Sequence, residues 1–236
     1  MFTKYITSAI LLTGLLISRV FPQYIVLPDS MQYPDRFVSK YLPMLTDKEL
    51  MKIASLPDLT VPPDNVFINK VTLPYKIDNS TQPYMIATTW QTGYECGQSA
   101  SIADVFTYEI NRLRNLSSLV DSNRYVTHFA WNFLNNGYNY TGASYYDSWE
   151  ILRMCGTPNV TDYGGQLYTG GEKRWMTGYN LYYKAMRNRL YTGYNIQVGT
   201  PEGLMILKNW LYNHLDGSTV GGLANFYAQY GSPNAT

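Results

Sequence analysis

The stretch QTGYECGQSASIADVFTYE, residues 91–109, decides how this chain is read. A glycine-bearing loop reaches Cys96 and then enters an apolar-periodic segment. Ala100, Ala103, Phe106, Ile110 and Leu113 recur every three or four residues, which predicts one face of an α-helix. A cysteine at a helix start feels the positive end of the helix dipole, which favours the thiolate. Gln91, a few residues upstream, can aim an amide N–H at a developing oxyanion. Those are the requirements of a thiol-dependent peptidase. The competing reading is a buried structural cysteine on an ordinary core helix.

Working outward, 236 residues suffice for one large domain, or one domain and a pro-segment. A formal net charge of +1 and the lack of any Lys/Arg run suggest neither nucleic acid nor an acidic membrane as partner. The 23 tyrosines, many beside Asn and Gly, favour open, hydrogen-bonded surfaces. Two cysteines permit one bridge or two free thiols, not a disulfide framework. Lys4 and the apolar run from Ile6 to Ile17 predict an export signal over residues 1–22, with a membrane anchor as the alternative. No stable membrane association is expected once the signal is removed, and the product is expected to be secreted or extracytoplasmic. Asn-x-Ser/Thr sequons begin at Asn79, Asn115, Asn139, Asn159 and Asn234; they matter only in a eukaryotic secretory pathway.

Residues 23–70 read as an N-terminal extension or pro-segment, rich in proline. Within it Thr46 and Glu49 form a capping box that opens a short helix to about Ser55. Residues 71–236 form the main domain. Tyr125–Leu134 reads as helix or strand, and a helix is expected from Trp149 to Met154. Another is expected within Glu172–Leu190. Tyr194–Val198 alternates as a strand. Thr200, Pro201 and Glu202 make a strong helix start, and Val220–Phe226 reads as a buried strand. No metal-ligand spacing or phosphate loop is present, so neither metal nor cofactor is expected. The Tyr/Trp-rich run from Trp175 to Tyr194 reads as core and cleft wall, with sugar stacking as an alternative.

The order of these features resembles the papain-like cysteine peptidases over roughly residues 71–226. Leu73-Pro74 with Asp78 resembles the start of the mature enzyme. Gln91, Cys96-Gly97 and the helix bearing Glu109 resemble the nucleophile element. Trp149 to Cys155, followed by Gly164-Gly165, is similar to the second helix and the glycine ledge. The resemblance implies an α+β fold of two domains, a helical left domain and an incomplete β-rich right domain. It implies an extended polypeptide substrate pairing with the backbone of Gly164 and Gly165. Two registers stay open. In one, Cys96 is the nucleophile, with Gln91 and its own backbone N–H holding the oxyanion. In the other, Cys96 matches a disulfide cysteine and Ser99 stands at the nucleophile position, giving a non-catalytic relative; a Cys96–Cys155 bridge is a related alternative.

A thiolate needs an imidazole partner. His128 reads as a core or surface residue, and His214 as a helix C-terminal residue. In the family, the catalytic His follows the segment resembling Val220–Phe226. The sequence is therefore expected to stop before its base and to lack peptidase activity as it stands.

Overall fold

The computed structural model describes residues 24–26, 51–52, 54–61, 72–88, 90–91, 93–165 and 171–225. The signal run, the capping box at 46–49 and the Asn234 sequon lie outside them. Among the described residues the protein is mixed and mostly helical. Its one sheet is a two-stranded antiparallel ribbon, in which β1 (Tyr24–Val26) pairs with β2 (Arg174–Met176).

The central helix runs through residues 96–114 in three parts. It opens as α1 (Cys96–Gln98), widens to a π-helix over Ser99–Phe106 and closes as α2 (Thr107–Arg114). The π stretch holds more residues per turn and so rotates the buried face. Ile102, Ala103, Phe106, Tyr108 and Ile110 are buried as a result, while Ala100 is exposed and Leu113 is 76% exposed. The regular periodicity in the sequence is thereby corrected at both its ends. Asn115 ends the helix at φ 52, a left-handed conformation that Asn tolerates.

Around this axis pack α3 (Thr127–Trp131), α4 (Tyr145–Cys155), α5 (Val160–Tyr163) and α6 (Tyr179–Ala185). Phe106, Val126, Phe129, Leu152, Tyr163 and Met176 form the centre of the apolar core. Each such side chain, fully buried, contributes roughly 1.5–3 kcal/mol. The ambiguous segment after Tyr125 is helical. The helix expected from Trp149 starts earlier, because the Ser144 hydroxyl accepts from the Tyr146 N–H and caps it. The helix expected within Glu172–Leu190 is confined to α6; strand β2 occupies its first part.

The last helix, α7 (Pro201–Asn213), begins as the sequence predicts. The Thr200 hydroxyl accepts from the Gly203 N–H at 3.0 Å, and Pro201 stands in the first turn. Among the described residues neither neighbouring strand forms. Asn195 makes an isolated bridge with Asp58, and residues 221–225 are irregular; Phe226 lies outside the described residues. The 220–225 backbone is held by other elements instead. The Gly222 N–H donates to the Trp210 carbonyl, and the Asn79 amide donates to the carbonyls of Leu211 and Gly222.

Residues 54–61 lie on the main body. The Leu59 N–H donates to the Asn195 carbonyl at 2.7 Å, the Asn195 N–H to the Pro57 carbonyl at 2.9 Å, and the Gln197 amide to Asp58 at 2.8 Å. Lys52 pairs with Asp147 on α4. The Trp175–Tyr194 run is less packed than its composition suggests. Trp175 is half-buried and meets the Phe133 ring edge-on at 4.8 Å, but Tyr179 and Tyr191 are 80% and 91% exposed.

Candidate functional site

The start of the central helix is fixed by its second and third residues. Gly97 lies so close to α4 that a Cβ there would stand 2.9 Å from the Ala143 carbonyl oxygen. The buried Gln98 amide donates to that same carbonyl at 3.1 Å and to the Ser148 hydroxyl at 2.8 Å. The loop before the helix is tied to the 135–144 loop, since the Tyr94 N–H donates to the Asn139 carbonyl at 2.8 Å. Cys96 is thereby presented outward. It is exposed and unbridged, and Cys155 is also a free thiol, so the Cys96–Cys155 bridge does not form.

Beneath Cys96 lies a polar cluster inside the core. The Glu95 carboxylate is 1% exposed and accepts a hydrogen bond from the Thr127 hydroxyl. The His128 Nε2 approaches the same carboxylate at 3.5 Å, and the ring is wholly buried. Burial, with the Arg174 guanidinium nearby, pushes His128 down from 6.5 to about 4. The imidazole is therefore neutral at physiological pH, and its approach to Glu95 is not an ion pair. The ring is seated against Gly171, where a Cβ would stand 2.3 Å from Nε2.

Arg174, on β2, is 1% exposed. Its guanidinium donates to the carbonyls of Tyr163 at 2.6 Å and Gly165 at 3.1 Å, and stacks 4.6 Å from the centre of the Tyr163 ring. The Asn132 amide donates to the carbonyls of Gly171 and Arg174, and the Tyr163 hydroxyl also donates to the Arg174 carbonyl. Burial raises the Tyr163 phenol far above its ordinary value, so it stays a donor. None of these residues except His128 stood out in the sequence. Glu95, Thr127, Asn132, Tyr163 and Arg174 belong to common residue types, and only their meeting in space marks them.

A cavity of about 240 Å³ opens beside this cluster. Its lining includes Glu95, Ser99, Tyr125, Thr127, Arg124 and the exposed Trp90 ring. Ser99, not Cys96, is the candidate nucleophile position that borders it. The Gln91 side-chain amide donates to the Gly93 carbonyl at 3.1 Å. The N–H groups of Gly164 and Gly165 donate to the carbonyls of Thr161 and Val160, closing the C-terminal end of α5. Gly165 also accepts from Arg174.

His214 stands elsewhere. It caps α7 at φ 54, with Nε2 2.8 Å from Glu109 and Nδ1 3.0 Å from the Arg112 guanidinium. Glu109 follows Cys96 by 13 positions on the central helix, a separation of roughly 15–20 Å at helical rise. No group of three or more potential metal ligands occurs among the described residues. No helix among them is long and apolar enough to cross a membrane. Compared with protein-family models, curated proteins and solved structures, the chain matches none.

Proposed function

We propose that the chain is an exported, non-catalytic papain-like protein that binds extended polypeptide, with Ser99 at the position a peptidase gives to its nucleophile. The observation that carries this reading is the lining of the 240 Å³ cavity, which includes Ser99 and leaves out Cys96. That volume is below the ~300–1,000 Å³ of common small-molecule pockets. It suits one large side chain of a peptide lying across the surface. Neither histidine suits Ser99 as a base: His128 is wholly buried against Glu95 and pushed down to about 4, which makes it a weak base, and His214 is engaged at the far end of the helix.

A second reading keeps Cys96 as the nucleophile of a thiol peptidase, with Gln91 aiding the oxyanion. It is favoured by one observation, an exposed and unbridged thiol at the first position of a long helix. Its base would come from outside the described residues.

Unfolded casein, offered to the full chain, separates the two readings. On the binding reading, fluorescent casein is retained without turnover, and Ser99→Trp, which fills the cavity, weakens retention at least tenfold. Peptide-bond cleavage that Cys96→Ala abolishes would replace this reading with the peptidase.

A further inference from the structure

We infer that Asn139 is a site of N-linked glycosylation, and that the sequons at Asn79 and Asn159 are closed by the fold. The inference rests on the export reading, not on the choice between Ser99 and Cys96. The sequence offers the sequons as equals, because each satisfies the same three-residue pattern. Their surroundings separate them.

Glycosylation joins the side-chain Nδ2 to a sugar, so that nitrogen must be reachable. Asn79 commits Nδ2 to the carbonyls of Leu211, at 2.9 Å, and Gly222, at 3.0 Å. Those two bonds stitch α7 to the irregular segment after it. Asn159 is the N-cap of α5: its Oδ1 accepts from the Asp162 N–H at 2.7 Å and its Nδ2 donates to the Asp162 carboxylate. A glycan on either nitrogen removes bonds that hold tertiary structure.

Asn139 is exposed, and among the described residues its side chain makes no hydrogen bond. Its backbone is nonetheless fixed, since its carbonyl accepts from the Tyr94 N–H. The loop is also held by Thr141, whose carbonyl accepts from the buried Trp131 indole at 3.0 Å. The acceptor nitrogen is therefore free on an anchored turn. Asn115 is intermediate. It is exposed, but its Oδ1 accepts from the Tyr84 hydroxyl at 3.0 Å, and its backbone is left-handed at φ 52. It should be occupied less fully than Asn139.

The co-substrate is an oligosaccharide carried on a lipid pyrophosphate. The Asn139 Nδ2 attacks the anomeric carbon, a C–N bond forms and the bond from that carbon to the pyrophosphate oxygen breaks. The amide loses one proton to solvent, and lipid pyrophosphate leaves; nothing is oxidised or reduced. Because Asn139 touches the Gly93–Tyr94 loop, the glycan would stand beside the start of the central helix.

The test is expression of the full chain in cultured insect cells, once with its own N-terminus and once behind a heterologous cleavable leader. Protein in the medium from the first form reads out export. Glycosidase treatment in ¹⁸O water, followed by peptide mass mapping of the second form, reads out each sequon. The expected result is a glycan on Asn139 that Asn139→Gln removes, with Asn79 and Asn159 unmodified in the soluble protein. An unmodified Asn139 in the leader-directed form overturns the proposal. So does a glycan on Asn79 or Asn159 of soluble protein. Failure of the native N-terminus alone to deliver protein to the medium would instead refute the export reading on which the proposal rests.

Discussion

Each end of the central helix sets a histidine beside a glutamate, and the two pairs are built on opposite principles. At the first end Glu95 and His128 are sealed in the core, and His128 is kept neutral by burial. At the second end Glu109 and His214 keep side-chain exposures of 20% and 14%. There the carboxylate is shared among His214, the Arg112 guanidinium and the Leu223 N–H. The sealed pair organises the interior, where most buried polar groups are hydrogen-bonded. The open pair fastens one helix to the end of another, with water available to take up what it loses. A histidine close to a carboxylate thus serves interior packing in one place and a helix junction in the other.

The contrast predicts that changes at the sealed end cost the most. Arg174→Met should have the largest effect. It leaves the Tyr163 and Gly165 carbonyls without their donor and removes a buried charge from beside His128. Leaving a buried acceptor without its donor costs about 1–3 kcal/mol for each group. Urea denaturation followed by far-ultraviolet circular dichroism measures it. A loss under 1 kcal/mol would mean that the buried cluster is not what holds β2 to α5.

Acid comes next. Unfolded His128 titrates near 6.5, while the folded state holds it at about 4. Between those values the unfolded chain binds more protons, so this group's contribution to stability falls as pH drops from about 6.5 to about 4. It changes little further below that. At full effect the gap corresponds to about 3 kcal/mol. His128→Gln should flatten this part of the stability profile relative to the parent protein. Nuclear magnetic resonance of the parent supplies a check that needs no variant, since the His128 ring signals should not titrate above pH 5.

Local chemistry made parts of this structure readable in advance. Thr200 with Pro201 announces α7, because capping is settled within four residues. The central helix is announced in the same way, but its buried face is not. Ala100 and Leu113 fit an α-periodic stripe, and the π stretch over Ser99–Phe106 breaks that stripe, leaving both exposed. Tyr194–Val198 alternates and Val220–Phe226 reads as a buried strand, yet a strand also needs a neighbour. Among the described residues Asn195 forms an isolated bridge with Asp58 and no longer ladder, and residues 221–225 are bound by side chains and helix ends. The buried cluster was unreadable for a related reason. Glu95, Thr127, Tyr163 and Arg174 stand on four separate elements, and no local pattern ties one to another. Cys96 drew attention as a thiol at a helix start; the structure adds that Ser99, a turn later, is the residue bordering the cavity.

The smallest effect belongs to the open end, and there a pair of variants separates contact from backbone strain. His214 is hydrogen-bonded to Glu109 and Arg112 and lies tilted against Trp210 with ring centres 3.8 Å apart, but it adopts φ 54 to do so. His214→Ala loses the contacts and keeps the left-handed backbone, which disfavours any Cβ. It should destabilise the protein by about 1 kcal/mol, in line with partly exposed hydrogen bonds. His214→Gly loses the same contacts but relieves the backbone, since glycine is the preferred residue where a helix ends left-handed. It should therefore be more stable than the alanine variant by about 1 kcal/mol, close to the parent protein. Thermal denaturation of the three proteins side by side decides it. If glycine proves as costly as alanine, the bonds to Glu109 and Arg112 outweigh the strain, and the open end is closer in kind to the sealed one than its exposure implies.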